Sequence, residues 1–88
     1  MSILLAVDLV PAFLSNRDLT TMFSSFPGFL RGELLVNAQG RSVGSAVIEI
    51  ATPGEAQRII QVMDGADIAG TAIRVSRLES LPQELADV

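Results

Sequence analysis

Six arginines and ten carboxylates, with no lysine, histidine or cysteine, make up the charged and metal-ligating stock of this 88-residue sequence. Guanidinium groups grip phosphate as planar, bidentate donors, so Arg41, Arg74 and Arg77 are the candidate phosphate contacts. Asp8 and Glu49 lie on segments that could pair as adjacent strands, but two carboxylates form no site without a pocket or a metal. The missing histidine removes the commonest general base and metal ligand, and the missing cysteine removes thiolate sites and disulfides. No catalytic, cofactor-binding or metal-ligating residue is assigned, and an enzyme is not expected. Phe13 is the aromatic residue with a choice of roles. It either folds back as a staple on the first helix turn or stands exposed as an anchor for a partner.

The elements that would position these groups follow from hydrophobic period and turn chemistry. Ile3 to Leu9 is an aliphatic run stopped by Pro11 and is read as the first strand. Ser15 can cap a helix, with Asp18 three residues later reaching back to the cap amide. Leu19, Met22, Phe23 and Phe26 then recur at helical steps, and Pro27-Gly28 ends the helix. Glu33 to Val36 and Ser42 to Ile50 flank the polar turn Asn37-Ala38-Gln39-Gly40 and predict an antiparallel hairpin. Along the second of these strands Ala46, Ile48 and Ile50 share one face, and Val43, Ser45, Val47 and Glu49 share the other. Thr52 and Pro53 open a second helix with Ala56, Ile59, Ile60 and Met63 as its core stripe, stopped by Asp64-Gly65. After the link Asp67-Ile68-Ala69-Gly70, Thr71 to Arg77 is the fourth strand. The order βαββαβ is the ferredoxin-like α+β sandwich: a four-stranded antiparallel sheet with two helices on one face.

Length and composition suit one domain, placed at residues 1–78 and followed by an acidic tail, 79–88, that either frays or forms a short helix from Pro82 with Leu85 and Val88 turned to the sheet. The start at Met1-Ser2, directly before the first strand, suits an excised domain of a longer chain. The apolar runs Ile3 to Val7 and Leu34 to Val36 are far shorter than the roughly 20 residues that span a bilayer, so no membrane contact is expected. An intracellular protein is the expectation. A net charge of −4 repels phosphate on average, which weakens nucleic-acid binding without removing it, because arginines can gather locally.

Five patterns in order resemble the RNA recognition motif family. Leu5-Ala6-Val7-Asp8-Leu9-Val10 fills the slot of its first-strand motif, and Asp18-Leu19 with Met22-Phe23 and Phe26 resembles its first helix, D-L-x-x-x-F-x-x-F. Val43 to Ile50 has the spacing of its RNA-reading strand; Ala56 to Gly65 is similar to its second helix, and Gly70 with Ile73 and Val75 to its closing strand. The family stacks bases on aromatic side chains of the sheet side that the helices leave free. The resemblance puts Ala6, Asp8, Leu35, Val43, Ser45, Val47 and Glu49 on that side, together with Arg31, Glu33, Arg74 and Ser76, and none is aromatic. Stacking contributes roughly 1 to 3 kcal/mol per base, so direct RNA binding is expected to be weak, through Arg41, Arg74 and Arg77, or indirect.

A narrower likeness lies in Gly40-Arg41-Ser42-Val43-Gly44-Ser45-Ala46, which is similar to the G-R-S-x-G-[S/T]-A segment of the ALY/REF messenger-RNA export adaptors. Those domains work largely through protein contacts, with RNA bound by basic tails that this sequence lacks. The resemblance therefore implies a protein-interaction module in messenger-RNA processing or export, in the nucleus ahead of the cytoplasm. A protein is the expected partner, and self-association through the sheet face is an alternative.

Overall fold

A computed structural model describes residues 2–78; the expected tail, frayed or helical over 79–88, lies outside the described residues. Strand β1 (Ile3–Asp8), helix α1 (Asn16–Ser24), β2 (Phe29–Val36), β3 (Ser42–Ile50), helix α2 (Pro53–Met63), β4 (Asp67–Ile68), β5 (Thr71–Ala72) and β6 (Arg74–Arg77) follow in that order. The main sheet is four-stranded, in the order β2-β3-β1-β6, and every pairing in it is antiparallel. With both helices on one face this is the expected ferredoxin-like arrangement.

Local chemistry sets the helix starts. The Ser15 side chain accepts the Asp18 amide at 3.1 Å while the Asp18 carboxylate accepts the Ser15 amide, a complete capping box. Thr52 caps α2 through the Glu55 amide, and Pro53 occupies the first turn, where its missing donor costs nothing. α1 closes at Ser24, before the expected stop at Pro27-Gly28, and β2 begins at Phe29 instead of Glu33.

The sandwich closes on one apolar layer. Leu5 and Val7 of β1, Ala46, Ile48 and Ile50 of β3, and Ile73 and Val75 are buried against Leu19 and Phe23 of α1 and Ala56 and Ile59 of α2. No polar side chain is buried among the described residues. Each large aliphatic or aromatic side chain in this layer contributes about 1.5 to 3 kcal/mol by burial, which is what holds the sheet to the helices.

Two departures from the expected strands alter the sheet. The fourth strand does not run from Thr71. Ala69 and Gly70 both adopt positive φ, at 51° and 88°, in a tight turn that folds Thr71–Ala72 back on Asp67–Ile68 as a separate two-stranded ribbon. Ile73 is then held by the chain leaving α2, donating to the Ala66 carbonyl and accepting from the Gly65 amide, so only Arg74–Arg77 pair with β1. The second departure is in β3. Gly44 sits at φ 85° and its carbonyl accepts the Val10 amide at 2.9 Å; the β2 register slips between Leu34 and Val36 at the same level. This is a bulge, and strict alternation of side chains stops there.

Candidate functional site

The face of the sheet away from the helices is built in three cross-strand rows. In the middle row Glu33 pairs with Val47, Val47 with Ala6, and Ala6 with Ser76. At the level of the bulge Ser45 pairs with Asp8 and Asp8 with Arg74; at the far level Arg31 pairs with Glu49 and Glu49 with Leu4. The expected face residues Ala6, Asp8, Ser45, Val47 and Glu49 are thus brought together. Leu35 has no strict partner because of the register slip, but it lines a groove of about 330 Å³ with Ala6, Asp8, Ser45 and Val47, closed at its other side by Ser76, Arg77 and Leu78.

At two levels of this face polar side chains pair with one another. The Ser45 hydroxyl donates to Asp8 Oδ1 at 2.8 Å, tying β3 to β1. Arg31 Nε donates to Glu49 Oε1 at 2.8 Å, and the Ser2 hydroxyl donates to Glu49 Oε2, so one carboxylate joins β2, β3 and the start of β1. The Ser2 hydrogen bond, against a smaller opposing effect of burial and with the help of Arg31, holds Glu49 below the ordinary carboxylate range. Asp8 and Glu49, expected as neighbours, are not. Asp8 pairs with Ser45 and Glu49 with Leu4, which puts the two acids four residues apart along the paired strands, and each has its own hydroxyl partner.

The three candidate arginines do not gather. Arg41 is exposed at the β2–β3 hairpin, whose tip is fixed by the Asn37 side chain accepting the Gln39 and Arg41 amides. Arg74 lies on the opposite edge of the sheet, where its Nε donates to Asp64 Oδ1 at 3.1 Å; the same oxygen accepts the Val75 amide. Those two contacts, the Val75 amide foremost, hold Asp64 below its ordinary value. Arg77 is half-buried and pairs with the buried Leu5, on the strand parity of core residue Val75.

Phe13 is 70% exposed and does not staple α1. It lines a second groove, of about 550 Å³, with Leu34, Val36 and Arg41, at the end of the sheet where Val43 is also exposed. Leu9, exposed and at φ 60°, adds a left-handed non-glycine residue to the loop leading to it. Sequence reasoning missed Leu4 and Ser2 on the free face, although the parity that placed Ala6 and Asp8 covers both. It also missed Leu9, for which no residue signal exists, because leucine gives no hint of positive φ. No group of three or more histidine, cysteine, aspartate or glutamate side chains is placed to hold a metal among the described residues.

The sequence model of the RNA recognition motif family matches residues 5–74. Among solved structures, the first two such domains of the yeast poly(U)-binding protein are 24% identical with a TM-score of 0.84, covering 88% of this chain and 47% of that one. The second domain of that protein alone is 25% identical with a TM-score of 0.81, covering 85% of this chain and 92% of that one. RNA recognition domains 1 and 2 of Sex-lethal from Drosophila melanogaster are 22% identical with a TM-score of 0.81, covering 86% of this chain and 49% of theirs. The chain thus spans about half the length of the two-domain structures. No curated protein matches in sequence.

Proposed function

The chain belongs to the RNA recognition motif family, and we propose that within it this domain serves as a protein-interaction module, with RNA bound weakly or through a partner. One observation carries the reading. At the centre of the free face, where family members set stacking aromatics, Ala6, Ser45 and Val47 stand side by side, and the Ser45 hydroxyl is given to Asp8. A base laid there gains no ring, and several kcal/mol of stacking is forfeited at roughly 1 to 3 kcal/mol per base. Exposed apolar side chains at the hairpin end, Phe13 and Val43 foremost, support a protein contact, because an aromatic anchor beside an arginine is the usual make-up of an interface centre. The Gly40 to Ala46 likeness supports a place in messenger-RNA processing or export, in the nucleus.

Amide shifts during titration with a uridine-rich single strand test the reading. The expected outcome is silence at Ala6, Ser45 and Val47, with at most salt-sensitive shifts around Arg41. Micromolar binding centred on those three residues would overturn it. The second reading, an accessory RNA binder, is favoured by the exposed Arg41 and predicts a steep fall of affinity with salt.

A further inference from the structure

The main sheet ends in two edge strands, β2 and β6. An edge presents outward amides and carbonyls to any strand that can pair with it. Along β6 the chain leaving α2 takes up that row. Ile73 donates to the Ala66 carbonyl and accepts from the Gly65 amide, and the Val75 amide donates to Asp64 Oδ1 at 2.9 Å. Along β2 the cover is thinner. Its pairing with β3 is regular from Arg31 to Leu34 and slips on either side. Within that stretch the Leu34 amide points outward and donates to Asn16 Oδ1 at 2.7 Å. Strand alternation turns the amide and carbonyl of Gly32 the same way. A cleft of about 340 Å³ opens there, bordered by Asn16, Arg31 and Glu33.

The residues around Gly32 are self-complementary. When a second copy of β2 is laid antiparallel on this edge with Gly32 on the two-fold axis, the two glycines exchange both backbone hydrogen bonds. Arg31 then lies opposite Glu33 of the second copy, and Glu33 opposite its Arg31. Directly opposed side chains of unlike charge favour such a pairing. The Arg31 side chain is 80% exposed, and Glu33 is exposed and forms no ion pair among the described residues. The next outward donor along the edge is the Leu34 amide, and Asn16 already holds it. Its Oδ1 sits where the carbonyl oxygen of an added strand would sit.

We propose that the β2 edge from Arg31 to Leu34 is a pairing surface for a second copy of this chain, and that Asn16 keeps it shut in the isolated domain. Asn16 is the first residue of α1, so the Ser15 cap that starts the helix also sets the guard in place. The inference goes beyond the interaction reading and does not rest on it, because pairing at the edge extends the sheet in its own plane and leaves the free face uncovered.

Asn16→Ala removes the acceptor and leaves the Ser15–Asp18 capping box intact. Translational diffusion by NMR, from micromolar to millimolar protein, reads association. The parent and Asn16→Asp, which keeps an acceptor oxygen, are expected to stay monomeric throughout. Asn16→Ala is expected to slow toward a dimer as concentration rises, with amide shifts at Arg31, Gly32 and Glu33 and none at Val75. Adding Glu33→Arg sets like charges opposite one another and should return the variant to a monomer, with the Ile48 shifts unchanged. A folded Asn16→Ala that stays monomeric at millimolar concentration would overturn the proposal, as would association that survives Glu33→Arg or a parent that dimerises by itself. Amide exchange in the parent is a second measurement that needs no variant: Leu34 should exchange many-fold more slowly than Gly32, and equal rates would mean that Asn16 guards nothing. Neither RNA nor a protein partner enters these experiments, so their failure leaves the interaction reading standing.

Discussion

The two faces of the one sheet are made by alternate residues of the same strands and have opposite characters. On β3 the inward residues Ala46, Ile48 and Ile50 are buried, and on β1 Leu5 and Val7 are fully so. The outward residues of the same strands, Ala6, Ser45 and Val47, are half-buried and small, with the Ser45 hydroxyl bonded to Asp8. The inward face is shape-filling and determines that the chain folds. The outward face makes almost no demand on folding, so its content is free to follow use. The contrast teaches that family membership resides inside while the capacity to stack bases resides outside, and that the one can persist without the other.

The hardest way to break this contrast is to truncate one phenylalanine from each environment. Phe23→Ala, at a position with no exposed surface, is expected to cost about 3 to 5 kcal/mol, a large share of the 5 to 15 kcal/mol that a small domain holds. Phe13→Ala, at a ring 70% exposed, should lie within about 0.5 kcal/mol of the parent. Urea midpoints at equal slope measure both. Comparable losses would mean that Phe13 belongs to the core and is no anchor.

Next in size is a gain. Replacing Ser45 and Val47 together by phenylalanine puts rings at the positions where relatives stack bases, and should raise affinity for single-stranded RNA by roughly 1 to 3 kcal/mol per ring. Stability should change little, because neither residue belongs to the buried layer. Fluorescence anisotropy with a labelled oligouridine reads the result. No gain, with the fold intact, would mean that these two positions do not present a ring to a base, and that the stacking deficit lies elsewhere on the face.

The inward face was legible in the sequence and the outward face only in part. Two-residue alternation in β3 and three- and four-residue steps in α1 and α2 placed Ile48, Phe23 and Ile59 inside, and the Ser15 and Thr52 caps fixed the helix starts. What alternation could not supply was backbone of the wrong hand. Positive φ at Ala69 removed Thr71–Ala72 from the main sheet, and positive φ at Gly44 broke the parity by which Val43 had been placed. The separation of Asp8 from Glu49 was equally hidden, because register between strands distant in sequence is set by packing and not by either strand's residues.

Gly44 therefore offers a third, smaller perturbation, aimed at the seam between the faces. Gly44→Ala meets no close atom, the nearest being the Val10 carbonyl at 3.7 Å, so its cost is that of placing an L-residue at φ 85°. That cost is about 1 to 2 kcal/mol. Denaturation gives its size, and amide shifts spreading from Val10 and Ser45 would show that the bulge re-forms. A neutral result would mean the backbone has an unstrained alternative there, and that the outward parity of Val43 is recoverable.

The smallest effect belongs to the outward face's own polar network, and its sign is fixed by Glu49. Hydrogen bonding from Ser2, aided by Arg31, lowers the folded-state pKa below the unfolded one. The unfolded chain therefore binds the proton more tightly, and the carboxylate's contribution to stability is complete above the ordinary glutamate value of about 4.3. It is lost as pH falls through the lower folded-state value. Glu49→Gln removes the charge, so the gap between parent and variant should be present at pH 7, narrow below about pH 4, and close under stronger acid. Because Arg31 is largely exposed, that gap should be close to the limit of detection by urea midpoint at physiological salt. A gap rivalling that of Phe23→Ala would make the outward face a structural element in its own right, and the freedom ascribed to it would be gone.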